Sequence, residues 1–503
     1  VRIATLEEAM KLDLRSQTDQ GLSSEILMES AGSQSAREIE QQYLNEIING
    51  QCLIVCGRGS NGCDGLVVAR HLSSQGRHVK VALIGNANKR SETFLVQLRR
   101  CKAAMIECFE SPSPSEFKLL LAQSSLLVDA VFGLGFHSPM KEPEKAYFQF
   151  LHSFKNPIVA LDVPSGLEPD SGLADKYCVK ADLTLTFGVA KRGFFVNSGP
   201  SAVGRLRVLP TGFPKPLIKQ ICSTHTLVTS QVARMLLPRR DSLANKSNFG
   251  HLAVFAGREG MWGAAVLTST SAYRSGAGYV TLISGERSDE ILKVMPEILT
   301  GNLKSELTSK RRWKTAAIGP GVGVNSKEID HALLFLKKNL VPTVVDADAI
   351  SALSRLKWKS LPKCWILTPH AGELSRLIDV DAKKIEADRF RYARETSDRF
   401  GCVVLLKGYR TVIANPDGMT RVVSSGNVGL AKAGTGDVLT GIIAGLLAQG
   451  LSCDSASSLG AYLHGRLADE WLKSGRDLAG LQASDLRDAF PQLLFRLRRG
   501  LEA

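Results

Sequence analysis

Gly434-Thr435-Gly436-Asp437 opens directly into the apolar run 438–447, after Asn427-Val428-Gly429-Leu430-Ala431-Lys432-Ala433. A glycine turn feeding a helix leaves backbone N–H groups free at the positive end of the helix dipole, and those groups bind anions. A phosphate held there would lie beside Asp437, whose carboxylate could take a proton from a nearby hydroxyl. The layout suits phosphoryl transfer without a Walker A lysine. Asp and Gly are also ordinary capping and turn residues, so a capped helix fits these four residues equally well.

Other chemistry-bearing groups follow apolar runs. In the second half these are Gly257-Arg258-Glu259-Gly260-Met261-Trp262-Gly263-Ala264, Ile318-Gly319-Pro320-Gly321-Val322-Gly323, Val345-Asp346-Ala347-Asp348, Leu367-Thr368-Pro369-His370-Ala371-Gly372-Glu373 and Lys407-Gly408-Tyr409-Arg410-Thr411. A lone histidine is more often structural than catalytic. The place of His370 after Thr-Pro, with Glu373 one turn on, favours a site. In the first half, Gly57-Arg58-Gly59-Ser60-Asn61-Gly62-Cys63-Asp64-Gly65 satisfies GxGxxG between an apolar run and a helix. The next run, 79–84, ends in Gly85-Asn86 with no acidic residue to hold a ribose, so ordinary NAD redox binding is the weaker reading. Asp129, Asp162 and Lys191 stand at further run ends. An aspartate there is often only a turn former, but several at successive strand ends beside a glycine loop favour a ligand crevice.

The elements that must position these groups are legible in the apolar rhythm. Short continuous apolar runs predict strands at 52–56, 79–84, 126–132, 158–163, 183–187 and 206–209. Helices such as 65–75 and 115–123 lie between them, after a helical lead-in over 5–47. The rhythm breaks at Pro210-Thr211-Gly212-Phe213-Pro214-Lys215-Pro216 and again at the polar stretch 237–242, which puts a domain boundary near 215–235. A second series follows at 252–256, 279–283, 315–318, 343–346, 365–367 and 403–406, then a hairpin at 412–415 and 420–423 and a helical tail from 455. Strands alternating with helices give parallel sheets covered on both faces, hence an α/β protein of two domains.

Composition narrows the partners. A chain of 503 residues exceeds one ordinary core, and 44% hydrophobic with 22% charged residues describes a globular protein. The net charge of +14 is not gathered into a tract: Arg239-Arg240, Arg311-Arg312 and 496–499 are short and scattered, and aromatics are only 6%. No nucleic-acid platform is therefore expected. The ten cysteines form no CxxC pair and no zinc-like Cys/His spacing, which fits reduced thiols in the cytoplasm. Residues 1–14 carry no signal-peptide core, and the longest apolar run falls short of the ~20 residues that span a bilayer, so no membrane partner is expected.

Leu27-Met28-Glu29-Ser30-Ala31-Gly32, the 57–65 loop, the 129–135 segment and Asp162-Val163-Pro164-Ser165-Gly166 resemble the NAD(P)HX epimerase family over residues 1–215. The resemblance implies a Rossmann-like, doubly wound domain that interconverts the R and S epimers of hydrated NADH or NADPH near a potassium ion. By matching position, Asn61, Asp129 and Ser165 would be potassium ligands. Ser60, Asn61, Gly62, Cys63, Asp64, Gly133, Leu134, Gly135, Phe136, His137, Ser138, Pro139 and Asp162 would hold substrate, with Asp162 catalytic. Oxygen ligands suit a hard cation. The family's loop usually reads Asn-Asn-Gly-Gly-Asp, where this chain has Ser60-Asn61-Gly62-Cys63-Asp64; Ser30, Leu134 and His137 replace a usual Asn, Thr and Arg.

The second half resembles the ribokinase-like superfamily, in its ADP/ATP-dependent NAD(P)HX dehydratase branch. The match runs over about 246–449, within a domain placed at 225–503, and includes Lys246-Ser247-Asn248-Phe249-Gly250 and Gly276-Ala277-Gly278. It implies an α/β/α sandwich in which Lys407, Gly408, Tyr409, Arg410, Thr411 and Gly436 contact the nucleotide. Ala264, Gly321, His370 and Asp437 would contact hydrated substrate, with Asp437 as catalytic base. The implied partners are NADHX and NADPHX, with ADP or ATP as phosphoryl donor, Mg2+ accompanying it, and a homo-oligomeric assembly. The alternative is a small-molecule kinase of the same superfamily carrying a degenerate, non-catalytic N-terminal binding module.

Overall fold

The computed structural model describes residues 1–151, 153–222, 224–284, 295–308 and 313–501; Arg311 and Arg312 lie outside the described residues. The chain forms two compact units, Val1–His225 and Thr226–Ala503.

The first unit contains strands β1 (Arg2–Ala4), β2 (Gln51–Cys56), β3 (Val79–Leu83), β4 (Glu107–Glu110), β5 (Ser124–Ala130), β6 (Ile158–Leu161), β7 (Leu183–Phe187), β8 (Ala190–Lys191) and β9 (Arg205–Leu209). Seven of these make one sheet in the order β4-β3-β2-β5-β6-β7-β9, parallel at every pairing. Side chains alternate across it as the strand period requires. Cys52, Ile54 and Cys56 of β2 join the core on one face, and Leu53 and Val55 join the core on the other. Burial on both faces is why β2 reads as an unbroken apolar run. The chain winds one way from β2 to β4 and the other way from β5 onward, so the order reverses between β2 and β5, where doubly wound sheets open a ligand crevice. β5 and its neighbour β6 stop earlier than the sequence predicts, at Ala130 and Leu161, which frees the segments after them to line that crevice. The helix after β2 starts earlier, at Ser60 rather than 65, and so takes most of the glycine loop into its first turns.

In the second unit, β10 (His225–Val228) leads in, followed by β11 (His251–Phe255), β12 (Tyr279–Ser284), β13 (Leu299–Asn302), β14 (Thr315–Ile318), β15 (Thr343–Val345), β16 (Trp365–Leu367), β17 (Val403–Leu406), β18 (Val412–Ala414) and β19 (Thr420–Val423). The order β13-β12-β11-β14-β15-β16-β17 is parallel, and the expected hairpin adds β18 and β19 antiparallel at its end. Here the order reverses between β11 and β14. The helix Thr435–Ala448 is buried from Val438 to Ala448 on every side, as an evenly apolar helix must be. It lies against the helix Trp262–Arg274 so closely that a Cβ on Gly441 or Gly445 would meet Thr268 O at 2.3 Å or Ala272 O at 2.4 Å. This backbone-to-backbone seam fixes the height at which Asp437, on the helix's first turn, enters its site. Among the described residues no helix is long and apolar enough to cross a membrane.

Candidate functional site

Most helices of the chain begin under a side-chain cap, such as Thr5, Ser23, Ser113, Ser326 or Ser452. Four that open at the two sheet reversals or beside them do not. The helices starting at Ser60, Trp262, Ala347 and Thr435 have Gly59, Met261, Asp346 and Gly434 at the cap position, and none of these side chains caps. No side chain therefore competes with a ligand for their first N–H groups, although Ala264 N–H turns back to Met261 O at 3.3 Å, Ala349 N–H to Asp346 O at 3.1 Å and Thr435 N–H to Lys432 O at 3.5 Å. Gly434 takes φ +85, a conformation that L side chains rarely adopt. Asp437 makes no capping bond, so the capped-helix reading of Gly434–Asp437 fails.

Around that turn the second unit gathers charges. Lys407 Nζ is 2.6 Å from Asp346 Oδ1 and 3.6 Å from Glu373 Oε2, and a Cβ on Gly436 would stand 3.8 Å from it. Thr440 Oγ1 donates to Asp346 Oδ2 at 2.7 Å. Asp346 sits where a helix cap would, but its carboxylate is taken up by Lys407 and Thr440. The neighbouring carboxylates hold the Lys407 ammonium above its ordinary range, against the opposing effect of burial. Burial first, and then the Asp346 charge, push the Asp437 carboxyl up to about 7. A carboxylate poised there can accept a proton at neutral pH and release it again.

His370 is fixed in one tautomer. Its Nδ1 accepts from the backbone N–H groups of Gly372 at 3.0 Å and Glu373 at 3.3 Å, while Glu373 Oε2 accepts from His370 N–H at 2.8 Å. With Nδ1 occupied as acceptor, the ring hydrogen is on Nε2, and His370 presents a donor to the site. It is a helix cap and a site residue at once. Lys407 N–H donates to Pro369 O at 2.7 Å, which ties the two strand ends together.

His370, Lys407, Gly408, Tyr409, Arg410, Thr411 and Gly436 share one cavity of about 890 Å³, lined further by Asn427 to Val428, Lys432 and His464. Ala264 and Gly321 lie against each other: a Cβ on Gly321 would stand 3.1 Å from Ala264 Cβ. Asp437, Ala264 and Gly321 do not line that cavity; Asp437 follows its wall residue Gly436 in sequence and feels the charges of Asp346, Lys407 and Asp348. Sequence reading placed Asp346 among the chemistry-bearing run ends without giving it a role, and did not single out Thr440 or His464. Asp346 carried a signal, since it ends an apolar run, but its partner Lys407 is 61 residues away. Burial pushes the His464 ring down to about 4, so it is neutral at the cavity wall.

In the first unit a cavity of about 530 Å³ opens at the β2/β5 reversal. Of the sequence-predicted residues, Ser60, Asn61, Asp64, Gly133, Leu134, Gly135 and Asp162 line it, together with Lys191. Gly62 and Cys63 do not. A Cβ on Gly62 would meet Gly57 O at 1.9 Å, so that glycine holds the loop closed, and Cys63 is turned into the core beneath the sheet. Phe136 packs on Phe132 in the opposite core, with ring centroids 5.2 Å apart. Ser138 bonds Glu168 and Asp175, and His137, Ser138 and Pro139 are exposed outside the cavity wall.

Asp162 takes φ +59, strained for a side chain larger than glycine, and such strain concentrates at functional sites. Its Oδ1 accepts from Lys191 Nζ, from Thr186 Oγ1 at 3.1 Å and from Phe187 N–H at 3.2 Å. Lys191 is buried, with its remaining bonds to Thr186 Oγ1 at 2.8 Å and Phe187 O at 3.4 Å. Asn61, Asp129 and Ser165 meet around Phe132. Asn61 Nδ2 donates to Phe132 O at 2.8 Å, Ser165 Oγ accepts from Phe132 N–H at 2.8 Å, and Ser165 Oγ donates to Asp129 Oδ1 at 2.6 Å. Asn61 Oδ1 is buried with no partner among the described residues. Burial pushes the Asp129 carboxyl up to about 6 against the bonds from Ser165.

Known proteins match both units. Residues 252–492 fit the family model described as NAD(P)H-hydrate dehydratase, and residues 24–193 fit that described as YjeF-related protein N-terminus. The bifunctional NAD(P)H-hydrate repair enzyme of Moorella thermoacetica is 36% identical over 523 residues, covering 99% of this chain and 98% of its own length. That of Escherichia coli is 32% identical over 439 residues, covering 86% of this chain and 83% of its own. Among solved structures, the ADP/ATP-dependent NAD(P)H-hydrate dehydratase from Bacillus subtilis co-crystallized with ATP/Mg2+ superposes with a TM-score of 0.50 at 32% identity, covering 54% of this chain and 98% of that one.

Proposed function

The chain belongs to the bifunctional NAD(P)H-hydrate repair enzymes, and on that premise we propose which of its residues perform the two reactions. The enzyme restores hydrated NADH and NADPH. Its N-terminal part epimerises R- and S-NAD(P)HX, and its C-terminal part dehydrates S-NAD(P)HX at the expense of ADP or ATP. We assign the first activity to Val1–His225 and the second to Thr226–Ala503.

In the dehydratase, Asp437 takes the proton of the ring hydroxyl as its oxygen attacks the terminal phosphorus, and the bond from phosphorus to the rest of the nucleotide breaks. The backbone amides at Gly434–Gly436, which no side chain caps, and the Lys407 ammonium hold the charge on the moving phosphoryl group. The ring carbon–oxygen bond then breaks with phosphate leaving, and loss of a proton from the adjacent carbon restores the dihydronicotinamide. His370 Nε2–H, with Ala264 and Gly321, orients the substrate, and Lys407–Thr411 with Gly436 hold the nucleotide. Mg2+ would enter with the nucleotide, held mainly by its phosphates, and would offset their charge; among the described residues no group of three or more His, Cys, Asp or Glu is placed to hold it. The single observation carrying this reading is the uncapped helix start at Gly434, with a half-buried Asp437 whose carboxyl rises to about 7.

In the epimerase, Asp162 with Lys191 is the catalytic carboxylate, and Ser60, Asn61, Asp64 and Gly133–Gly135 surround the substrate. Asn61, Asp129 and Ser165 would hold potassium: the orphaned Asn61 Oδ1 and the all-oxygen donor set fit a hard cation, which would order the loop beside the substrate. The ten free cysteines support a cytoplasmic location, and a homo-oligomer is the assembly to look for by light scattering. The test mixes both NADHX epimers with the protein, Mg2+ and ADP or ATP. Return of both epimers to NADH supports the reading. A stable phosphorylated product and no NADH would favour the small-molecule kinase.

A further inference from the structure

The cavity of the first unit holds more acid than one reaction base requires. Asp13, from the helix Leu6–Thr18, and Asp64, from the helix Ser60–Ser74, face it together with Asp162 and Lys191; Arg58 and Glu144 are the other charged groups on its wall. One buried ammonium serves these aspartates, and its carboxylate partner is Asp162. The three donors to Asp162 all go to Oδ1, leaving Oδ2 on the side of Gly133, where a Cβ would stand 3.8 Å from it. Asp64 differs: no hydrogen bond or ion pair holds its carboxyl among the described residues. We infer that Asp64 is the proton donor and Asp162 Oδ2 the proton acceptor of an acid–base pair that opens and recloses the hydrated nicotinamide ring. This rests on the reading of the first unit as the epimerase.

The chemistry needs one group of each kind. The hydrated carbon carries a hydroxyl and is bonded to the ring nitrogen, so it is a carbinolamine. Asp162 takes the hydroxyl proton, the oxygen's electrons form C=O, and the carbon–nitrogen bond breaks with its pair moving to nitrogen. That nitrogen, conjugated through the ring's C=C to the carboxamide, receives the proton of Asp64. Rotation of the aldehyde presents its other face. Nitrogen adds back, returning its proton to Asp64, while Asp162 returns the first proton to oxygen. Each carboxyl ends as it began, and no oxidant, reductant or water is consumed. The surroundings divide the roles accordingly. Burial, then the Asp162 and Asp13 charges, push the Asp64 carboxyl well above the usual carboxylate range, whereas Asp162 is ion-paired to Lys191. A buried carboxyl with no partner beside one held by an ammonium is an arrangement that can serve as acid and base.

The experiment follows the interconversion of separated R- and S-NADHX by the full chain without nucleotide, so that the dehydratase is silent, with the uncatalysed rate subtracted. Substrate binding is read in parallel from thermal protection by NADHX. Asp64→Asn is expected to epimerise about 100-fold more slowly or worse, the scale of a lost general acid. It keeps substrate protection, because an amide can donate where a carboxylic acid did, and Asp64→Glu recovers part of the rate. Epimerisation by Asp64→Asn within about tenfold of the parent overturns the inference. So does loss of substrate protection in both variants, which marks a binding role. Asp162→Asn separates the two levels of the argument: if it also epimerises like the parent, the assignment of the site itself fails, not only its proton donor.

Discussion

Replacing Asp437 by asparagine removes the base of the dehydratase and also relieves the folded protein of a charge it holds at a cost. One pKa unit is worth ~1.36 kcal/mol. The rise of the Asp437 carboxyl from 3.8 to about 7 therefore makes its ionisation about 4 kcal/mol harder in the folded protein than in the unfolded chain. The group is half-buried rather than enclosed, and solvent screening brings this to about 2 kcal/mol. The folded pKa lies above the unfolded one. The stability of the protonated form is thus complete below about pH 4 and is lost as pH rises to about 7. Asparagine cannot ionise and escapes that loss. Urea unfolding of the second unit's transition should show Asp437→Asn gaining on the parent from about pH 5 upward and standing about 2 kcal/mol above it near pH 8. Dehydratase turnover should fall about 10²- to 10⁴-fold in the same variant. A variant no more stable than the parent near pH 8, or one that keeps turnover within tenfold, refutes the placement of Asp437 as a strained base.

In the parent enzyme, kcat/KM for dehydration should drop about tenfold per pH unit below about 7, as Asp437 becomes protonated in the free enzyme; a profile flat to about pH 5 would contradict this. Lys407→Met should weaken nucleotide binding in calorimetry and cost about 3–5 kcal/mol in urea unfolding, since it strands the buried Asp346 charge. Gly445→Ala places a methyl 2.4 Å from Ala272 O and should lower the second unit's melting temperature by an amount equivalent to about 1–3 kcal/mol, leaving epimerisation untouched. Exchanging potassium for a bulky organic cation should slow epimerisation but not dehydration, as read in paired assays of one preparation.

The strands buried on both faces were readable because both of their side-chain rows are apolar, as in Cys52–Cys56 and Val403–Leu406. Those that escaped notice lack that signature. β4, Glu-Cys-Phe-Glu, is a sheet edge with exposed ends, and β8 is two residues whose lysine is buried only because Asp162 receives it. Motif positions such as His370 and Gly434–Asp437 could be read from spacing along the chain. What Asp346 does could not, since a run-ending aspartate reads as a cap until the fold brings Lys407 against it. The same holds for Asp64. Its role depends on Asp13 and Asp162, which reach it from other elements.

Gly62 and Cys63 are neighbours with opposite freedom. The first is locked by a carbonyl oxygen that leaves no room for a Cβ, and the second points its side chain into the core, away from the substrate. Divergence at position 63 can therefore proceed without touching the cavity. A comparison that weighs each letter of the motif equally will discard working enzymes at position 63 and accept broken ones at position 62.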